Sequence, residues 1–567
     1  PLKKIERPLL TSLQDAKWKV RQRAASILVD KGSKRVIWAL ISWLNDFETK
    51  HRVRAIELLG QTKRKMAVIP IVRALRDFEP EVRMASLRAL GKMKATSALT
   101  AVLGRLDDDS VKVRLAAVSV LGVIPHPRAV ITLMGKLGDS AKDVRKKVIE
   151  TLGKLGDPRS APAVLRALKD PVAEIREAAA RALGNLASAE AVAALIRLLR
   201  GGSSVSIRRA AAASLAQIGT PKAAQALVEA LSNPQIRNIA AANIRVLGKA
   251  AVPSAVERLD ETRVPPGEAE TLVTLLGEIG DRRASKVLIA ELDRQRVDAE
   301  KVITALKICG DSSALIPLLR RFGKAKNDSF RLKILDALEP IIDGRAEKPL
   351  MKRLDTKNVP IRTRIVRLLG RLKTGRAVPK ILTFLKSPEK PLRLASIRAL
   401  GLIGDPRAEK ALAPLLASID DGVRMEAADA MGRAAAPESA RRLMKELNNN
   451  TEWTTKARAA HMKAIGTLLR RKPHAPTLKA LVDWARRPPH DLSMPALEAL
   501  QATRSKGVAP LLVKLYNSNK TSKAKQIKII EILGDSKHPK ALPLLLQALR
   551  QRKDVSLSAT AAWALRK

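Results

Sequence analysis

Rings are scarce in this sequence. Aromatic residues make up 2% of its 567 positions, as six Trp, five Phe and one Tyr, so a core must draw its volume from Leu, Ala, Val and Ile packed between close helices. Several of the rings, Trp38 and Trp563 among them, fall in apolar helical positions. The single cysteine, Cys309, excludes an internal disulfide and with it a stapled secreted module. Beside Ile308 and Gly310 at a predicted helix end, it is expected to be a small buried hydrophobe. No run of 18 apolar residues and no signal peptide is present, which predicts a soluble, cytoplasmic protein without a membrane partner. The chain starts at Pro1 and not at Met, which leaves an upstream segment open. The six histidines, His51, His126, His461, His474, His490 and His538, are scattered, and no His-Glu-x-x-His, cysteine cluster or phosphate-binding glycine loop occurs. These absences predict no metal, no cofactor, no small-molecule substrate and no catalytic centre. Acidic residues are also short, 55 against 106 Lys+Arg, for a formal net charge of +51.

What the chain has in abundance is repetition. An aliphatic-Arg pair falls at Val20-Arg21, Val53-Arg54, Val82-Arg83, Val113-Arg114, Val144-Arg145, Ile175-Arg176, Ile207-Arg208, Ile236-Arg237, Ile361-Arg362, Leu392-Arg393 and Val423-Arg424, and from Arg83 to Arg176 the step is 31 residues each time. Small and aliphatic residues at helical spacing follow each pair and close on Leu-Gly or its equivalent, as in Ile175 to Gly184. A turn such as Gly156-Asp157-Pro158-Arg159 or Gly404-Asp405-Pro406-Arg407 comes next. There Gly can end one helix in the left-handed conformation, Asp can cap the next, and Pro suits its first position. A second, apolar helix such as Ala161 to Leu168 completes the unit. Weaker copies run from Glu268 to Gly280, Asp298 to Gly310, Ser329 to Leu338, around Lys456-Ala457-Arg458, and over Leu492 to Leu500, Ser522 to Gly534 and Asp554 to Leu565. Pro495 is expected to kink or shorten its helix. His126 and His538 fall in turns. Two helices per unit of this period make an α-solenoid of about 18 units, all-α and continuous over 1–567.

The Val-Arg, Ala-Leu-Gly and Gly-Asp-Pro-Arg words resemble those of the HEAT-repeat family, in the short form also found in phycobilisome lyase subunits. The resemblance covers nearly the whole chain and implies the superhelical fold. Its functions are diverse: phosphatase scaffold, transport receptor, chromosome-organising subunit, chromophore lyase and alkylpurine DNA glycosylase. It also implies that the second helix of each unit lines the concave side. In addition, the pairs Asp15/Arg21, Asp77/Arg83, Asp108/Arg114, Asp139/Arg145 and Asp170/Arg176, six residues apart, would form a ladder of ion pairs between units. Those arginines are therefore expected to be structural.

The remaining charge is unevenly spread. Residues 1–260 carry a net +23, residues 261–350 only +1, and residues 351–567 a net +27, two basic arms around a near-neutral middle. That middle also loses the Val-Arg anchor and holds Val264-Pro265-Pro266-Gly267, which suits a hinge. The cations expected to face a partner are Arg23, Lys146, Lys147, Arg209, Arg364, Arg367, Arg371, Lys373, Lys523, Lys525 and Lys528. Clusters at Lys63-Arg64-Lys65, Arg470-Arg471-Lys472, Arg486-Arg487 and Arg550 to Lys553 would extend the contact along an edge. With few rings for stacking bases, duplex DNA held by its phosphates without sequence preference is the expected nucleic-acid partner. Its binding would fall roughly 10³- to 10⁵-fold between 50 and 200 mM salt. The competing reading is a scaffold that grips an acidic protein. A HEAT-like glycosylase, with Asp15 and Trp18 or Asp483 and Trp484 in the groove, and a bilin lyase subunit are lesser alternatives.

Overall fold

The structure is a computed structural model that describes all residues except 1, 202, 203, 451, 487–489, 519–521, 552 and 553; the side chains of 2–5 and 490 also lie outside it. Arg487, Arg552 and Lys553 of the edge clusters are thus outside the described residues. Among the described residues every regular element is an α-helix or a short 3₁₀ turn, with no strand. The chain divides into two compact units, Pro1–Val287 with Arg294–Val297, and Leu288–Asp293 with Asp298–Lys567. Each is an α-solenoid of two-helix repeats.

One repeat of the first unit shows how the words become structure. The helix Lys142–Leu155 ends at Gly156, whose φ of 68° is left-handed. The Asp157 carboxylate then accepts the Arg159 backbone N–H at 3.0 Å, with Pro158 opening the turn Pro158–Ser160 that leads into Ala161–Ala167. Asp170 caps the next turn by accepting from Val172 N–H at 2.8 Å, and the helix Ala173–Asn185 follows. Gly404, Asp405, Pro406 and Arg407 repeat the device in the second unit. His126 and His538 take the place of Asp, each accepting a backbone N–H through Nδ1 at 3.1 Å. At several turns a cation replaces the glycine: Lys63, Lys94, Lys373, Arg504 and Lys537 all have φ between 48° and 54°. The steric cost of about 1 kcal/mol or more is partly offset because a positive charge at a helix C-terminus meets the negative end of its dipole.

The weaker copies fold as the pattern predicts: Pro266–Ile279, Ala299–Cys309, Asp328–Leu338, Lys523–Ser536 and Val555–Arg566 are all second helices. Cys309 is buried. Pro495 neither kinks nor shortens its helix, because it sits in the first turn of Ser493–Thr503, where its missing N–H has no intrahelical partner to lose. Trp38 departs from its expected apolar setting. It is 68% exposed, since Val36, Ile37 and Leu40 occupy the buried stripe of Val36–Ser42.

Consecutive second helices approach so closely that a side chain is excluded from the contact. A Cβ on Gly153 would lie 2.9 Å from Cα of Ala182, and one on Gly401 would lie 2.7 Å from Cα of Ala430. The Gly that closes the Leu-Gly word is therefore a contact position, which receives Ala from the next repeat at Gly153, Gly370 and Gly401 and Ser214 at Gly184. Gly401→Ala should destabilise the protein by about 1–3 kcal/mol through overpacking, whereas Gly135→Ala, which meets nothing within 4 Å, should be neutral or slightly stabilising. Thermal melts followed by circular dichroism would check the pair; equal melting temperatures for the two variants would contradict the close contact at Gly401.

Candidate functional site

Sorting structural cations from available ones defines the site. In the first unit the anchor arginines Arg83, Arg114 and Arg145 bridge consecutive repeats. Arg114 donates to both carboxylate oxygens of Asp139 at 2.9 Å, and to the carbonyl of Asp108 at 2.9 Å. Arg83 reaches Asp108 at 2.7 Å, and Arg145 reaches Asp170 at 3.0 Å. The expected ladder is present, with a division of labour that spacing did not reveal: the Asp six residues back offers its carbonyl, and the Asp of the following repeat offers its carboxylate. One anchor was misplaced in the sequence reading. Arg52, not Arg54, holds the ladder position, with bonds to Asp77 of 2.9 and 3.0 Å, while Arg54 pairs with Glu57. His51 stands there for the usual aliphatic residue, stacked on Trp18 with ring centroids 3.7 Å apart, and this substitution shifted the apparent pair by two. Trp18 is further packed edge-on against Trp43, so it serves the fold.

Burial by itself would raise the carboxyls of Asp46, Asp108, Asp139 and Asp170. Hydrogen bonds from neighbouring N–H groups, from ladder arginines or, at Asp46, from His51, together with nearby positive charge, outweigh it and hold all four below the usual range. A second ladder runs along the turns. Arg283 clasps Asp281 at 2.8 Å and the carbonyl of Lys249 at 3.0 Å; in the second unit Arg345 and Arg407 do the same with Asp343 and Ser312, and with Asp405 and Gly375. The Arg283 hydrogen bond brings Asp281 down to about 2.

The cations expected to face a partner are mostly occupied. Lys146 pairs with Glu174 at 3.6 Å, Lys147 with Glu150 at 3.8 Å, Arg371 with Glu339 at 3.1 Å, Lys523 with Asp554 at 3.0 Å and Lys528 with Glu531 at 2.9 Å. Arg364 pairs with Asp336 and Glu339. Lys525 is buried. Only 5% exposed, it donates to the Ala485 carbonyl at 3.3 Å, and burial pushes its ammonium pKa down. Its long stem carries it inward where a shorter residue would stop at the surface. Lys373 lies in the turn beyond Val359–Arg371 and not on the helix. Arg23, Arg209, Arg367 and Lys373 remain exposed without an ion pair among the described residues. Exposed pairs are worth only about 0–1 kcal/mol each; their weight here is that a carboxylate shares the surface and lowers the local positive potential.

One trough escapes that neutralisation. On the exposed face of two consecutive second helices, Pro80–Met93 and Val111–Leu121, a depression of about 800 Å³ is floored by Met84, Leu115, Ala116, Val120 and Val123. Gly91 deepens it, and Arg88, Lys92 and Lys112 stand at its edge with no carboxylate in the lining. All three cations are exposed and unpaired among the described residues. Two repeats along, the pattern changes. Lys146, Glu150, Glu174, Glu177 and Arg181 line a depression of about 220 Å³ that neutralises itself. The trough was not legible from cation spacing because it depends on the same position in other repeats: Met84 and Leu115 align with Lys146 and Glu177 two repeats on, and Lys112 aligns with Asp143 and Glu174 one and two repeats on. No group of His, Cys, Asp or Glu suited to a metal occurs among the described residues, and no described helix is long and apolar enough to cross a membrane.

A family model described as HEAT repeats matches residues 37–114, 101–183, 162–248, 347–432 and 378–464. No curated protein matches the chain in sequence. Among solved structures the chain is similar to yeast importin-β (Kap95p), at 12% identity and a TM-score of 0.40 over 100% of this chain and 99% of that one. It is also similar to Kap121p, at 11% identity and a TM-score of 0.44 over 99% and 82%.

The ladders set a pH dependence and a mutational cost. Depressed folded-state carboxyls contribute stability that is complete above their unfolded value of about 4 and is lost as the pH falls through the folded values, which for Asp281 lies at about 2. Melting temperatures should therefore hold from pH 7 to 5 and drop steeply between pH 4 and 2; a flat profile to pH 2.5 would contradict this. Asp139→Ala strands an Arg114 side chain that is only 12% exposed, and should cost roughly 3 kcal/mol in urea unfolding.

Proposed function

Because the chain belongs to the HEAT-repeat family, whose model spans more than half of it, we propose that it is a binding scaffold that holds an acidic protein against its second-helix face. The observation that carries this reading is the trough between Pro80–Met93 and Val111–Leu121, apolar in its floor and cationic at its edge. Interfaces join a desolvated apolar centre to a charged rim, and complementary charge at that rim speeds encounter and selects partners. A phosphate backbone would use the cations but has nothing to place on Met84, Leu115 and Val123.

Duplex DNA as the main partner is the weaker reading. Extended backbone contact needs cations with few competing carboxylates along the track, yet six of the eleven expected contacts, Lys146, Lys147, Arg364, Arg371, Lys523 and Lys528, have a carboxylate beside them. Arg23, Arg209, Arg367 and Lys373 stay available for weak, salt-sensitive attraction of any polyanion.

The two readings separate in one experiment. The full chain, immobilised and treated with nuclease, should retain an acidic protein in stoichiometric amount at 150 mM salt, and the triple variant Arg88→Glu, Lys92→Glu, Lys112→Glu should lose it. Duplex DNA bound more tightly than any protein, with affinity unchanged in that variant, would reverse the assignment.

A further inference from the structure

From the shape and chemistry of the same trough we infer that its occupant is an amphipathic, acidic α-helix of the partner protein. This rests on the scaffold reading and narrows it. Two helices lying side by side leave a groove between their side-chain ridges, and the ridge of a third helix is the shape that fills such a groove. An extended strand would gain nothing comparable. The backbone groups of both walls are spent inside their own helices, and no sheet edge exists among the described residues to template main-chain hydrogen bonds.

The floor is shaped for apolar knobs. Ala116 and Gly91 leave room in it, while Met84, Leu115 and Val123 supply apolar contact surface, with Val123 40% exposed. Met84 and Leu115 occupy the same position in successive repeats, 31 residues apart, so they form two neighbouring contacts of one kind. Methionine adapts its shape to different partners. A helix presenting Leu, Ile or Phe at positions i, i+3 or i+4 and i+7 could seat these residues on that floor.

The rim sets the sign of the flanks. Lys112 belongs to one helix, and Arg88 and Lys92 to the other, so cations stand on both walls of the trough. Glu or Asp beside the apolar stripe of the incoming helix would meet them. The depression two repeats along offers the contrast: Lys146 and Arg181 are already answered by Glu174 and Glu177, and an acidic flank would find carboxylates there. Apolar Met84 and Leu115 stand where Lys146 and Glu177 stand two repeats on, and basic Lys112 stands where Asp143 and Glu174 follow, so the trough's cations meet no carboxylate in its lining.

A synthetic 18-residue peptide with Leu at heptad-like positions and Glu on both flanks is the probe, followed by fluorescence anisotropy on the full chain. It should bind at least 10-fold more tightly than a scrambled peptide of equal composition. Leu115→Glu and Arg88→Glu should each weaken binding 10-fold or more, while Lys222→Glu, an exposed change of equal charge on another helix, should leave it unchanged; circular dichroism melts confirm that each variant is folded. Equal binding of the scrambled peptide, or equal loss with Lys222→Glu, would reduce the effect to general charge attraction and overturn the inference. So would a 20-base-pair duplex whose binding shows the same loss with Leu115→Glu, which would move the occupant to nucleic acid. If the Arg88, Lys92, Lys112 variant releases a natural acidic partner while the helical peptide shows no preference over its scrambled form, the scaffold reading stands and the helical occupant is wrong.

Discussion

Everything in this chain depends on how closely one second helix can approach the next. A solenoid repeat has no core of its own and buries its apolar stripe only against its neighbours, so the spacing of those helices decides how much surface is removed from water. The Gly that closes a Leu-Gly word meets the following repeat at close range, Ala182 at Gly153, Ser214 at Gly184 and Ala430 at Gly401, with no room there for a Cβ. Leu, Val and Ile then suffice to fill the interior, and the scarcity of rings follows from the spacing.

The charge obeys the same geometry. Close stacking brings the Arg of one repeat within reach of the Asp of the next, and the partly buried pairs Arg114–Asp139 and Arg83–Asp108 result. Taking two charges out of water is costly, so each Arg also satisfies backbone carbonyls and each Asp also caps a turn. Each pair thereby links one repeat to the next through a defined set of hydrogen bonds. On the turn edge, Arg283, Arg345 and Arg407 tie each turn to the one before it. Much of the chain's arginine is thereby consumed in making the solenoid, and a net charge counted from composition overstates what a partner can feel.

The proposed function uses the columns that stacking leaves free. A solvent-facing position recurs every 31 residues, so its neighbours in space are the same position one repeat earlier and later. Where such columns alternate acid with base, as around Lys146 and Glu174, the surface neutralises itself. Around Met84 and Leu115 the column turns apolar and the flanking cations of Arg88, Lys92 and Lys112 are left over, which makes the surface proposed for recognition without any change of fold.

The helices, the turns, the burial of Cys309 and the existence of an Arg–Asp ladder were legible in the amino-acid order, because each depends on a local period or on a short word with one mechanical use. Even the degenerate copies from Pro266 to Leu338 kept enough apolar periodicity to be placed. Other features were decided only when repeats were stacked. The true anchor at Arg52 was hidden by His51, Lys525 turned inward, and Pro495 fell in a first turn where it costs nothing. The pairing state of Lys146, Arg364 and Lys523 depends on residues about 30 positions away. A linear reading sees how many charges a chain has and how they are spaced, but the free energy of a charge is set by what lies beside it in space, and that neighbour is supplied by the next turn of the solenoid.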